Sequence, residues 1–236
     1  MNILAVESSA GPASVCVLSG GKILYEANAN VGLTHSQTIM PMVGEAVKMS
    51  GLAVGDFDFL AVACGPGSFT GVRIGVSAVK GMALGSGKKC VGVSTLEAMA
   101  YNMICRDSTV CCVMDARCRQ VYCGLFKSEN GVITRISEDA AVSIDDLRET
   151  LRNIEGDVFL VGDGAEICFN VFGSEFKNVR LAPAALRFQR ASSVALCAEN
   201  MLKNGFNAVE GDKLDVVYLR LPQAERELRK RNGEEK

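Results

Sequence analysis

Tryptophan is absent from this chain, aromatic residues make up 6%, and histidine occurs once, at His35. One histidine leaves no Ser-His-Asp or Cys-His site that does not depend wholly on that ring. A helical metal pair is missing too, because the position that would face the same ion one turn on is Ile39. Cysteine is plentiful, at 10 residues, yet no two form a C-x-x-C pair, so the usual zinc and redox spacings are not present. No apolar run is long enough to span a membrane, and no basic region with a longer apolar stretch opens the chain. A cytoplasmic protein with reduced cysteines and no membrane partner is expected. Charge of one sign is also lacking: 25 Lys+Arg stand against 27 Asp+Glu, net −2. That argues against a broad basic face that binds nucleic acid by itself.

What is present is a chain of 236 residues, 48% hydrophobic, with 24 glycines. It suffices for a large core with many tight turns. Cys16 lies in the apolar run 13–18, and Cys111 and Cys112 in the run 110–114, where thiols act as small hydrophobes. Cys118 and Cys123 extend a loose cluster, for which a buried role competes with metal or redox roles.

The elements read as a duplicated pattern. Strands are expected over 3–6, 13–18 and 22–28, a helix capped by Thr34 or Ser36 through Met49, with Pro41 inside it, and a strand over 59–64. A glycine-rich turn, Gly65 to Gly71, leads into a helix to about Leu84, then a strand over 89–93 and a helix over 95–105. The pattern restarts with strands over 109–114, 120–127 and 132–136, Asn130-Gly131 being a hairpin signal. A helix over 144–152 capped by Ser143, a strand over 158–161 and a helix over 192–204 closed by Gly205 follow. An acidic residue ends the first strand of each half, Glu7 and Asp115. Mixed sheets flanked by helices imply an α/β class. Duplicated lobes of this form are the layout of the actin-like, sugar-kinase-like fold, with nucleotide between the lobes. The expected divisions are an N-terminal lobe at 1–104, a C-terminal lobe at 105–220 and a charged tail at 221–236.

Candidate chemistry is sparse. Glu7, Ser8 and Ser9 occupy the turn that handles metal and phosphate in actin-like kinases, and hydroxyls and backbone N–H groups there could hold an anion. An ordinary polar hairpin turn is the competing reading, since Pro12 removes a donor. The run Gly65-Pro66-Gly67-Ser68-Phe69-Thr70-Gly71 could bind an anion at a helix N-terminus. It lacks the Lys-Ser/Thr of a Walker loop, and a tight strand-to-helix connection capped by Ser68 or Thr70 accounts for it equally. Asp115, Arg117 and Arg119 read either as a charged site or as a turn holding an ion pair.

Several segments together resemble the TsaB (YeaZ) family: residues 3–9; Thr34-His35-Ser36 with Met40-Pro41; Gly-Pro-Gly-Ser-Phe-Thr-Gly-Val-Arg at 65–73; Val93 to Leu96; Met114-Asp115-Ala116-Arg117 with Val121-Tyr122; Val161 to Ala165; and Tyr218-Leu219-Arg220. The resemblance implies an actin-like fold and a non-catalytic subunit related to TsaD. TsaD transfers a threonylcarbamoyl group to N6 of adenosine 37 in tRNAs reading ANN codons. TsaD carries a His-x-x-x-His metal site, and Ile39 replaces its second histidine here. The implied partners are TsaD, the ATPase TsaE, a second copy of the chain, and tRNA reached through the complex. No tightly bound cofactor is expected, with ATP or ADP engaged in the complex. The family's two adjacent helices pack against TsaD; here these are the helices at about 35–49 and 70–84. Their two apolar stripes and small residues mark His35, Ile39, Met42, Val43, Ala46, Gly71, Val72, Gly75, Val76 and Val79 as the expected interface.

Two enzyme readings compete: an ATP-dependent actin-fold kinase drafting Glu7 and Asp115, and an M22-like peptidase, which the single histidine disfavours. Elemental analysis of untagged protein is expected to find no near-stoichiometric zinc or iron. Such metal, lost on His35→Ala or on replacing the Cys111–Cys123 cluster, would overturn that expectation.

Overall fold

A computed structural model describes residues 1–220. The basic positions Arg226, Arg229, Lys230 and Arg231, read as a solvated helix face or a tRNA contact, lie outside the described residues. Each lobe is built on a mixed sheet. The first contains β1 (Asn2–Glu7), β2 (Ala13–Ser19), β3 (Lys22–Ala29), β4 (Phe59–Ala63) and β5 (Lys89–Val93), in the order β3-β2-β1-β4-β5. The second contains β6 (Ser108–Asp115), β7 (Gln120–Glu129), β8 (Val132–Arg135), β10 (Val158–Val161) and β11 (Val179–Leu181), ordered β11-β10-β6-β7-β8, with β9 (Ala140–Ser143) also on β7. Read from the other edge, the second order repeats the first strand for strand. In both, the first strand pairs antiparallel with the hairpin strand after it and parallel with the strand reached through a helix. This is the actin-like fold.

The central strands are buried on both faces, so they read as unbroken apolar runs rather than as alternation. Leu4 and Val6 of β1 face α1 (His35–Ser50) and α2 (Phe69–Ser86), while Ile3 and Ala5 face α7 (Ala191–Lys203). In β6, Cys111 and Val113 meet α4 (Ile144–Arg152) and α5 (Ala165–Phe172). Cys112 and Met114 face α3 (Thr95–Ala100) in a core shared between the lobes. Cys111, Cys112 and Cys123 are buried and Cys118 is exposed. Burial pushes the Cys16 and Cys64 thiols up to about 12, which keeps them neutral.

Local chemistry sets the helix starts. Ser68 Oγ accepts the Gly71 N–H at 3.2 Å, Ser94 Oγ that of Glu97 at 3.1 Å, and Ser143 Oγ that of Asp146 at 3.0 Å. Thr34 stands at the N-cap of α1 without a side-chain cap bond, and the helix runs through Pro41 to Ser50. The helix expected over 95–105 ends at Ala100 and tightens into a 3₁₀ turn at Tyr101–Met103. Sequence periodicity places neither β9, α5, β11 nor α6 (Ala184–Arg187). Segments this short complete too few turns or alternations to show a period. The division at 104/105 needs one correction. The chain returns to the first lobe, where α7 covers the face of the first sheet opposite α1 and α2, and Leu214 joins the core beneath α2. Among the described residues no helix is long and apolar enough to cross a membrane.

The inward face of α2 lies so close to the turn after β1 that a Cβ on Gly71 would strike the Ser8 carbonyl oxygen, and one on Gly75 the Ser8 hydroxyl. Gly81, on the same helix, has open space around it. Alanine at these two positions should therefore act in opposite directions. Gly71→Ala is expected to cost about 1–3 kcal/mol through backbone displacement. Gly81→Ala is expected to stabilise by up to about 1 kcal/mol through helix propensity. Urea denaturation of both variants checks this, and equal effects would contradict it.

Candidate functional site

A cleft of about 440 Å³ lies between the lobes. The turn after β1 (Ser9, Ala10, Gly11) and the loop into α2 (Pro66 to Phe69) form one wall. The turn after β6 (Met114 to Arg117), with Tyr122 and Asp163, forms the other, and Val217 to Arg220 cross it. The turns that follow the two acidic strand ends, far apart in sequence, thus stand on opposite sides of one cavity, and of the two acids Asp115 lines it. Asp163 and Phe69 are cleft residues that sequence reasoning did not single out. The one signal for them was their place in the Gly-Asp-Gly and Gly-Ser-Phe turns that follow β10 and β4. The tail motif Tyr218-Leu219-Arg220 was legible as a motif but not as a cleft wall.

The first wall is held by its own hydrogen bonds. Ser8 Oγ donates to the Gly71 carbonyl at 2.9 Å, and the Ser68 N–H donates to the Ser9 carbonyl at 2.6 Å. The Ser9 N–H donates to Glu7 Oε1 at 2.6 Å. Glu7 and Ser8 are each 1% exposed and neither lines the cleft. Of the three residues expected to contact phosphate, the cleft is lined by Ser9 alone. Its Oγ is buried with no hydrogen-bond partner among the described residues. Glu7 and Ser8 instead tie the turn to α2.

The second wall is a strained turn. Arg117, Cys118 and Arg119 have φ of 65°, 53° and 56°, a left-handed run that costs non-glycine residues roughly 1–2 kcal/mol each. Asp115 holds it, accepting the Arg117 N–H at 2.8 Å and pairing with the Arg117 guanidinium at 3.2 Å. The Arg119 guanidinium stands 3.6 Å from Asp145. The turn-with-ion-pair reading therefore describes this segment. Burial pushes the Asp163 carboxyl above its ordinary range, against a hydrogen bond from Gln189 at 2.9 Å. A bound group would meet the turn at 9–11 and the start of α2 on one side, and Asp115, Asp163 and Arg117 on the other. Among the described residues no group of three or more His, Cys, Asp or Glu is placed to hold a metal ion.

The expected partner residues lie elsewhere than expected. Ile39, Val43, Ala46, Val72, Val76 and Val79 are buried against the first sheet, as are Gly71 and Gly75, and Met42 packs at the edge of that core. His35 is half-buried; its Nε2 lies 2.7 Å from the Ala10 carbonyl, so that nitrogen carries the proton and ties α1 to the cleft turn. These ten positions are the inward faces of α1 and α2. Bulky substitution at Gly75 or Val76 would thus disrupt the fold rather than report on a partner.

Burial raises the Glu7 carboxyl from its ordinary 4.5 to about 7, with the nearby Asp163 adding to the rise and hydrogen bonds from Ser9 and Ser8 opposing it. Between those values the folded chain holds a proton that the unfolded chain has released. The group's contribution to stability is therefore complete at low pH and is lost as pH rises through about 7. Glu7→Gln keeps an acceptor for the Ser9 N–H. It is expected to gain stability relative to the parent as pH rises, by at most about 1.4 kcal/mol per pH unit. Denaturation at several pH values checks this; a parent–variant difference independent of pH would contradict it.

Comparison with known proteins places the chain. The sequence profile of the family "TsaD: tRNA N6-adenosine threonylcarbamoyltransferase" matches residues 30–228. The Bacillus subtilis tRNA threonylcarbamoyladenosine biosynthesis protein TsaB is 33% identical over 229 residues, 95% of this chain and 96% of that one. Its Escherichia coli counterpart is 34% identical over 170 residues, 70% of this chain and 72% of that one. The solved structure of YeaZ from Pseudomonas aeruginosa superposes with a TM-score of 0.77 at 25% identity, covering 92% of this chain and 99% of that one. With its duplicated sheets and near-full-length similarity, the chain belongs to the TsaD-type family and, within it, to the TsaB (YeaZ) relatives.

Proposed function

We propose that this chain serves tRNA threonylcarbamoyladenosine biosynthesis as a non-catalytic subunit that binds a TsaD-type transferase, with the ATPase TsaE joining the pair. The near-full-length similarity to the Bacillus subtilis TsaB carries the pathway. The non-catalytic role is supported by the state of the carboxylates. Glu7 is sealed behind the turn after β1, and Asp115 is bonded into its own turn. An actin-fold kinase needs a carboxylate free to orient a divalent cation and another to take the acceptor's proton. Glu7 is closed off from the cleft, and Asp115, which lines it, is already engaged by Arg117. The same geometry favours a chain without a tightly held cofactor of its own, ATP or ADP being engaged in the complex and tRNA reached through TsaD.

The surface that fits a partner is the outward side of α1 and α2, which pack side by side on one face of the first sheet. Met40 is 48% exposed and Leu84 73%. Gly44, Gly81 and Gly85 have open space where a side chain would be. Exposed methionine and leucine beside bare backbone let another pair of helices approach closely and adapt. The duplicated lobes of TsaD offer a related helix pair. A second copy of this chain would use the same face and so compete with TsaD.

The test is formation of threonylcarbamoyladenosine from threonine, bicarbonate, ATP and tRNA, with the adenylate-forming enzyme supplied. The chain alone is expected to yield none, and the chain with TsaD and TsaE to yield product. Met40→Asp and Gly81→Arg, which leave the inward face intact, should abolish co-elution with TsaD while preserving the circular dichroism spectrum. Product formed without TsaD would sink the subunit reading, and undiminished co-elution of both variants would move the interface elsewhere.

A further inference from the structure

Residues 217–220 lie across the mouth of the cleft and are fastened to both lobes. On the first lobe, the Val217 N–H donates to the Cys64 carbonyl at 2.8 Å. Gly65, at φ 114°, lies directly beneath, where a Cβ would strike the Val217 carbonyl oxygen. The next residue, Tyr218, stacks on Phe69 with ring centroids 4.7 Å apart. Arg73 closes this cluster. Its guanidinium sits 3.8 Å over the Phe69 ring, and its Nε donates to the Tyr218 hydroxyl at 2.6 Å. On the second lobe, Arg220 donates to the Ala116 carbonyl at 2.7 Å, in the strained turn. Phe69 and Arg73 belong to the first turns of α2, so the segment joins the start of that helix to the opposite cleft wall.

Arg73 has a second relation. It is exposed, and it continues the row Ser77, Gly81 and Leu84 along the outward face of α2 at helical spacing. A partner lying along that row reaches Arg73 before it reaches the cleft.

We propose that residues 217–220 are a clasp that holds the inter-lobe cleft closed, and that a partner docked on the outward face of α2 acts on this clasp through Arg73. The second half rests on the partner reading above; the first does not. The clasp is tethered at each end by few groups: an arginine–aromatic stack with two hydrogen bonds on one side, and a single arginine–carbonyl bond on the other. Either end can release without disturbing a core, because Tyr218 is 43% exposed and the Ala116 turn belongs to neither sheet. Released, the cleft turns at 9–11, 66–69 and 114–117 lose their common cover.

Hydrogen exchange measured by mass spectrometry on the full chain tests both halves. In the free protein, Tyr218→Ala and Arg73→Ala should each speed exchange at 65–70 and 114–119 by about tenfold, as expected for a local opening. Exchange in β1 and β4 should stay at the parent rate. Tyr218→Phe, which keeps the stack and loses the hydroxyl, should fall between, and the Arg73/Tyr218 double variant should open no further than either single one. Unchanged cleft exchange in all variants overturns the clasp, as does a parallel rise in β1 and β4. With the TsaD-type transferase added, exchange at 217–220 should change together with protection of α1 and α2. Protection of the two helices with 217–220 unaffected overturns the coupling while sparing the partner reading. No protection of the helices refutes the partner reading and leaves the clasp to stand on the free-chain result.

Discussion

The close seating of the turn after β1 on the first two turns of α2 is the contact from which the rest of this structure follows. Ser8 bonds the Gly71 carbonyl, Ser9 accepts the Ser68 N–H, and two glycines remove the side chains that would keep the segments apart. The approach leaves no room for a ligand between turn and helix. It buries Glu7, and the burial raises its pKa. It also fixes the rotation of α2 about its axis, and with it which residues of that helix face solvent.

The two lobes share a sheet order but not a surface. The first sheet is covered on one face by α1 and α2, and on the other by α7, which arrives after the whole second lobe has been made. That return stitches the lobes together through polar contacts that are buried or partly buried. Asn102 donates to the Leu186 and Phe188 carbonyls at 2.9 Å each and accepts from Ser193 at 2.5 Å. Glu26 takes the Arg190 guanidinium at 2.8 Å and the Ser192 hydroxyl at 2.6 Å. On the other side, Arg135 of the second lobe pairs with Glu97 of α3 at 2.7 Å and with Asp139 at 2.5 Å. Paired polar groups of this kind favour one arrangement, because each loses its partner if the lobes shift. The cleft mouth is different, spanned by a short segment with a partly exposed stack.

These features bear on function in one direction. Of the two strand-end carboxylates, the first is enclosed and the second is engaged by its own turn. Leu84 and Met49, both strongly exposed, stand outside the cleft on α2 and α1. The glycines of α2 divide accordingly. Gly71 and Gly75 serve the interior, Gly81 and Gly85 the exterior, although all four share one helix and nearly one spacing.

The sequence by itself determined the strands through β8, the capped helix start at Ser143 and, as one of two choices, at Ser68, the duplication marked by Glu7 and Asp115, and the family. Those features are local, or repeat along the chain: apolar runs bounded by Gly and Asn turns, hydroxyls one residue before a helix, an acid at the same place in each half. What only the tertiary structure decided is which way things face. Two apolar stripes on α1 and two sets of glycines on α2 are equivalent to a helical period, and the contact with Ser8 breaks the tie. The cleft likewise gathers Ser9, Phe69, Asp115, Asp163 and Tyr218 from five separate segments. No spacing in a linear chain encodes which of them share a cavity, because that depends on sheets packed against helices that arrive much later in the chain, α7 above all.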